Sequence, residues 1–84
     1  MNCSYMLAAL KTNLNVTVFL RETVFGNLRF TIYPTKALKF ETIDSAVQYV
    51  YKRHSEIRRQ LCKMHCKRFG VCRSNDYCIV RQVR

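Results

Sequence analysis

The alternation of apolar and polar positions divides the chain into a part with a period of two and a later part with a period near 3.6. Residues 14–21 read Leu-Asn-Val-Thr-Val-Phe-Leu-Arg. Leu14, Val16, Val18 and Leu20 fall on one face, as in a half-buried strand. Residues 28–33 repeat the pattern, with Leu28, Phe30 and Ile32 on one face and Arg29, Thr31 and Tyr33 on the other. Between the two runs, Phe25-Gly26-Asn27 supplies residues that tolerate positive φ, so a hairpin is predicted. Pro34 has no ladder donor and ends the second strand. A short third strand is expected around Ala37 to Glu41.

The period then changes. Thr42 suits a helix N-cap, and Asp44 suits the first turn. Ile43, Val47, Val50, His54, Ile57, Leu61 and Met64 recur at three- and four-residue steps. This stripe predicts one long amphipathic helix reaching Phe69, with Lys67 and Arg68 at its C-terminus and Gly70 as its stop. Such a helix would extend on the order of 40 Å, about twice the length of the strands. It overhangs the sheet unless the tail covers its far end. Tyr77 to Val83 has the content of a fourth strand or of that cover.

The first dozen residues admit two readings: a short helix from Tyr5 to Lys11 capped by Ser4, or an edge strand. The helical reading gives the order α-β-β-β-α, which resembles that of double-stranded-RNA-binding domains. The lysine cluster that opens their last helix is absent, since this helix opens Ile43-Asp44-Ser45-Ala46.

The expected fold is a single α+β domain, a small antiparallel sheet of three to four strands with one long amphipathic helix packed across one face. Residues 1–41 are mainly sheet, 42–69 the helix and 70–84 a Cys/Arg-rich tail. In the expected core, Leu14, Val16, Val18, Leu20, Leu28, Phe30 and Ile32 meet Ile43, Val47, Val50, Ile57 and Leu61.

With 84 residues there is room for one modest core. A hydrophobic content of 49% with two glycines and one proline describes a folded chain and excludes a disordered basic tail. The net charge is +10 and unevenly placed: from Lys52 to Arg84 there are ten Lys/Arg against two acids, Glu56 and Asp76. Such a concentration points to a polyanionic partner. On the predicted helix, Lys52, Arg59, Lys63 and Lys67 share the side opposite the stripe, flanked by Arg53 and Arg58. Arg73, Arg81 and Arg84 follow in the tail. These residues suit a run of phosphates. RNA is favoured over DNA, because no helix-turn-helix pair is visible and the one clear helix is committed to the sheet. Tyr49, Tyr51, Phe69 and Tyr77 lie among the charges as candidates to stack on unpaired bases. The alternative partner is an acidic protein surface. A small basic α+β chain is similar, in size and style alone, to phage-encoded inhibitors that dock on host defence, transcription or translation complexes.

Four of the five cysteines share this region, as Cys62-x3-Cys66-x5-Cys72-x5-Cys78 with His65 among them. On a helix, Cys62 and Cys66 lie one turn apart. Cys72 and Cys78, brought back at Gly70, would complete a tetrahedral zinc site fastening the tail to the helix end, with His65 as a substitute ligand. The spacings differ from the two-residue steps of familiar zinc pairs, so reduced thiols and disulfides stand beside this reading. Cys3 is read as packed and unrelated.

Catalysis is disfavoured. The five carboxylates, Glu22, Glu41, Asp44, Glu56 and Asp76, are scattered without a paired-acid pattern, and no glycine loop cradles phosphate. His54 falls on the apolar stripe as a core histidine. A small ribonuclease or toxin would draw on His54, Tyr77 and Arg81. No segment reads as membrane-spanning or as a signal peptide. With an odd cysteine count, a reducing, cytoplasmic setting is expected.

Overall fold

A computed structural model of the chain describes residues 4–75 and 81–82. Its strands are β1 (Tyr5–Lys11), β2 (Val16–Glu22), β3 (Leu28–Thr31), β4 (Cys66–Arg73) and the two-residue β5 (Arg81–Gln82). They form one antiparallel sheet in the order β3-β2-β1-β4-β5. Two ten-residue helices, α1 (Ile43–Lys52) and α2 (His54–Lys63), lie between β3 and β4 in sequence.

The expected α+β class, antiparallel sheet and β2–β3 hairpin are present. In the hairpin turn, Gly26 has φ 82°, and the Thr23 N–H donates to the Asn27 carbonyl at 2.8 Å. The N-terminal segment is a strand and lies at the centre of the sheet, neither a helix nor an edge. Met6, Leu7, Ala8 and Ala9 are all fully buried. A strand covered on both faces shows a continuous apolar run with no alternation. The α-β-β-β-α order is therefore not formed.

One face of the sheet carries Leu7, Ala9, Val18, Leu20, Leu28, Phe69 and Val71, packed against Ala46, Val50 and Ile57 of the helices. The other face gathers Met6, Ala8, Phe19 and Cys72 with Ala37. Leu14, Val16 and Ile32, expected in the core, are 62%, 38% and 56% exposed. Leu14 lies in the turn before β2, and Ile32 just beyond β3.

The expected third strand is reduced to a plug. After a 3-10 turn at Pro34–Lys36, the Leu38 N–H donates to the Leu20 carbonyl at 3.0 Å. Phe40 and Tyr5 exchange two backbone bonds of 2.8 Å. The β1–β2 pairing ends at Ala8 and Phe19. Residues 38–40 thus satisfy backbone groups where those two strands diverge.

The single long helix is replaced by two. Thr42 caps α1 as expected, its Oγ1 accepting from the Ser45 N–H at 3.0 Å. The helix breaks at Arg53, with φ −118° and ψ 29°, before α2 begins. Residues 66–69 belong to β4 instead of the helix, and Gly70 is buried opposite Ala8 instead of ending a helix. His65, at φ 54°, turns the chain from α2 into β4, and its carbonyl accepts from the Thr12 N–H at 3.0 Å. Along β4, the pairing steps from Lys67 to Gly70 while β1 steps only from Leu10 to Ala8. The extra residue is a β-bulge containing Arg68 at φ 54°.

The left-handed conformation at Arg68 generates a prediction. A β-branched residue there is strained, whereas glycine adopts it freely. Arg68→Val should lose about 1–2 kcal/mol in urea unfolding, and Arg68→Gly should retain the stability of the parent. Equal stability of the two variants would rule out the bulge geometry.

Candidate nucleic-acid interface

The helix pair is held at its bend. Measured from the buried positions Ala46, Val50 and Ile57, Arg53 occupies the sheet-facing side, where an apolar residue would continue the stripe. Its guanidinium instead reaches the β2–β3 turn. Nη2 donates to the Gly26 carbonyl at 2.8 Å, and Nη1 to Glu22 at 2.9 Å. Nε and Nη2 form a fork on the Glu56 carboxylate at 3.1 and 2.5 Å. The Tyr49 hydroxyl donates to the same Glu22 oxygen at 2.7 Å, and its ring stacks at a tilt on Phe40. Burial, then the hydrogen bond to Glu22, pushes the Tyr49 hydroxyl up to about 12. The Arg53 hydrogen bond holds the Glu56 carboxyl below the usual range, with the charges of Arg53 and Arg59 acting the same way.

This network removes Arg53 from the expected binding stripe, since its charge is taken up by two carboxylates. It also draws Glu56, the acid that interrupts the cations of α2, into a fork with Arg53. Arg58, Arg59 and Lys63 remain exposed on α2, and Lys52 on the last turn of α1. Arg59 and Lys63 stand four residues apart, about 6 Å along the axis. Among the described residues, no ion pair engages Arg58, Arg59, Lys63 or Lys52.

The other expected cations are dispersed. Lys67 is exposed on β4 opposite Leu10, and Arg73 is exposed at the other end of that strand, opposite Tyr5. Their separation along the strand is roughly 20 Å, so they form no single stripe with α2. Arg81 lies in β5 with its side chain outside the described set, and Arg84 lies outside the described residues.

Of the candidate stacking aromatics, Phe69 is core and Tyr49 is half-buried and hydrogen-bonded, while Tyr51 is 63% exposed. Tyr77 lies outside the described residues. His54, placed on the apolar stripe by its spacing, is exposed at the start of α2 because the break at Arg53 turns it away from the sheet.

The cysteines are separated by the fold. Cys62 is exposed on α2, and Cys66 is half-buried at the start of β4 on the helix-bearing face. Cys72 is buried in the opposite face, and Cys78 lies outside the described residues. Cys62 and Cys66 are thus not one turn apart on a common helix. Among the described residues, no three His, Cys, Asp or Glu side chains come together as metal ligands. Burial pushes the Cys66 thiol up, opposed by the charge of Lys11. No helix among the described residues is long and apolar enough to cross a membrane.

Two residues near the interface escaped the sequence reading. Arg29 lies on the edge strand β3, and its side chain lines a notch facing Arg59. Phe25, at the hairpin turn, is 88% exposed. The exposure of Phe25 had one signal, a large aromatic placed inside a turn. Compared with protein-family models, curated proteins and solved structures, the chain matches none.

The different duties of the two arginines are separable. Arg53→Gln should lower the thermal midpoint by more than Arg59→Gln does. The stability contributed by the Tyr49 hydroxyl is present below its ordinary pKa of 10.0 and is lost as pH rises from there towards about 12. Thermal melts across that window should show a decline that Tyr49→Phe reduces.

Proposed function

We propose that the chain is a small non-enzymatic nucleic-acid-binding regulator that engages RNA in preference to DNA. The observation that supports this most is the exposed cation set Arg58, Arg59 and Lys63 on α2, beside Lys52, none in an ion pair among the described residues, with Glu56 forked by Arg53. Exposed cations that outnumber the acids beside them repel one another and gain when a polyanion approaches. The helices bury their apolar sides against the sheet, and they do not present a helix-turn-helix pair for a major groove. Phosphate contact by α2 with the nucleic acid lying across it fits RNA, which is read through its backbone and unpaired bases.

This reading predicts affinity that falls steeply with salt, with a slope of about −0.7 per phosphate neutralised on a single strand. Changing Lys52, Arg59 and Lys63 together to Glu should abolish binding in a filter or anisotropy assay while leaving the circular dichroism spectrum intact. Binding that is insensitive to salt and survives the triple change would refute it.

A further inference from the structure

Arg29 is paired across the sheet with Arg21, and like charges directly opposite each other repel. The side chain of Arg29 wraps the free edge of β3 so that Nη1 donates to its neighbour's carbonyl, Leu28 O, at 2.8 Å. This brings it to a notch of about 120 Å³ between β3 and α2, lined across the gap by Arg59, Gln60 and Glu56 and closed by Asn27 and Leu28. One water needs about 10–15 Å³ on this measure, so the notch has room for a phosphoryl group. Two guanidinium groups and two side-chain amides supply donors for such a group. The carboxylate in the wall, Glu56, is already forked by Arg53.

The hairpin tip adjoins this notch. Val24 and Phe25 are 94% and 88% exposed, and Phe25 lies two residues before Asn27 in the notch wall. A large ring held in water beside a pocket for one phosphate is the pairing used for unpaired bases: the phosphate is gripped by charge and the base stacks on the ring.

We propose that the notch and the Phe25 ring form a recognition site for one nucleotide of a single-stranded nucleic acid. Arg29 and Arg59 hold its phosphate and Phe25 stacks on its base. The proposal rests on the nucleic-acid reading above and adds a strand state to it. An anionic membrane is the competing partner for an exposed tip beside cations, and vesicles are therefore one arm of the test.

The test is fluorescence anisotropy with a labelled single-stranded RNA, the same sequence as a duplex, and vesicles containing phosphatidylserine. Phe25→Ala should weaken single-strand binding about tenfold or more, with an unchanged salt slope and unchanged duplex binding. Replacing Arg29 and Arg59 together with Gln should reduce the magnitude of the salt slope by about 0.7, the share of the one phosphate they hold. Phe25 is solvent-exposed, so its removal should leave the melting curve unaltered. Parent-like single-strand binding by Phe25→Ala and by the Arg29→Gln/Arg59→Gln double variant would overturn this site and leave the broader reading standing. Failure of the parent protein to bind either RNA would overturn both, as would Phe25-dependent binding to vesicles alone.

Discussion

The arrangement of this small domain depends on one guanidinium. Arg53 stands on the side of the helix pair that faces the sheet, and its planar fork can satisfy several acceptors at once. By bonding Glu22, Glu56 and the Gly26 carbonyl, it fixes the bend between α1 and α2 and ties that bend to the β2–β3 hairpin. The two arms lead from there toward the centre of the sheet: α1 contacts β1 and β4, and α2 contacts β3 and β4. The same bonds hold the Glu56 carboxylate at the bend, where one guanidinium shared by two carboxylates leaves a net negative charge beside Arg59.

Much of the periphery was legible in the sequence, and much of the centre was not. The alternation in β2 and β3, the turn at Gly26 and the Thr42 cap are local signals, and each is where its residues predict. Strands β1 and β4 are buried on both faces, so Met6-Leu7-Ala8-Ala9 and Phe69-Gly70-Val71-Cys72 carry no period to detect. Lys67, Arg68 and Gly70 form a persuasive helix ending, but pairing with β1 outweighs that local preference. The break at Arg53 was hidden because arginine is a good helix former. What bends the chain there is a set of acceptors that sequence spacing does not reveal.

The candidate interface was legible as a quantity of charge and not as an arrangement. Cations counted along a continuous helix form one stripe; divided between α1, α2 and both ends of β4, they do not. Arg29 was invisible as an interface residue because strand alternation directs it away from the helices, and only wrapping the edge brings it round. The cysteine spacing suffered the same fate. A bulge and a change of element carry Cys66 and Cys72 to opposite faces of the sheet.

The pairing of β1 with β4 has a kinetic consequence. The two strands at the middle of the sheet come from residues 5–11 and 66–73, nearly the whole length of the chain apart. The β2–β3 hairpin can close early from local contacts, whereas the centre requires a long loop to close before any of its burial is gained. During synthesis, the apolar run Met6 to Ala9 emerges well before Cys66–Arg73, with only β2 near enough in sequence to pair with it at once. Until then its other edge is open on an uncharged strand, the kind of segment that associates with other chains.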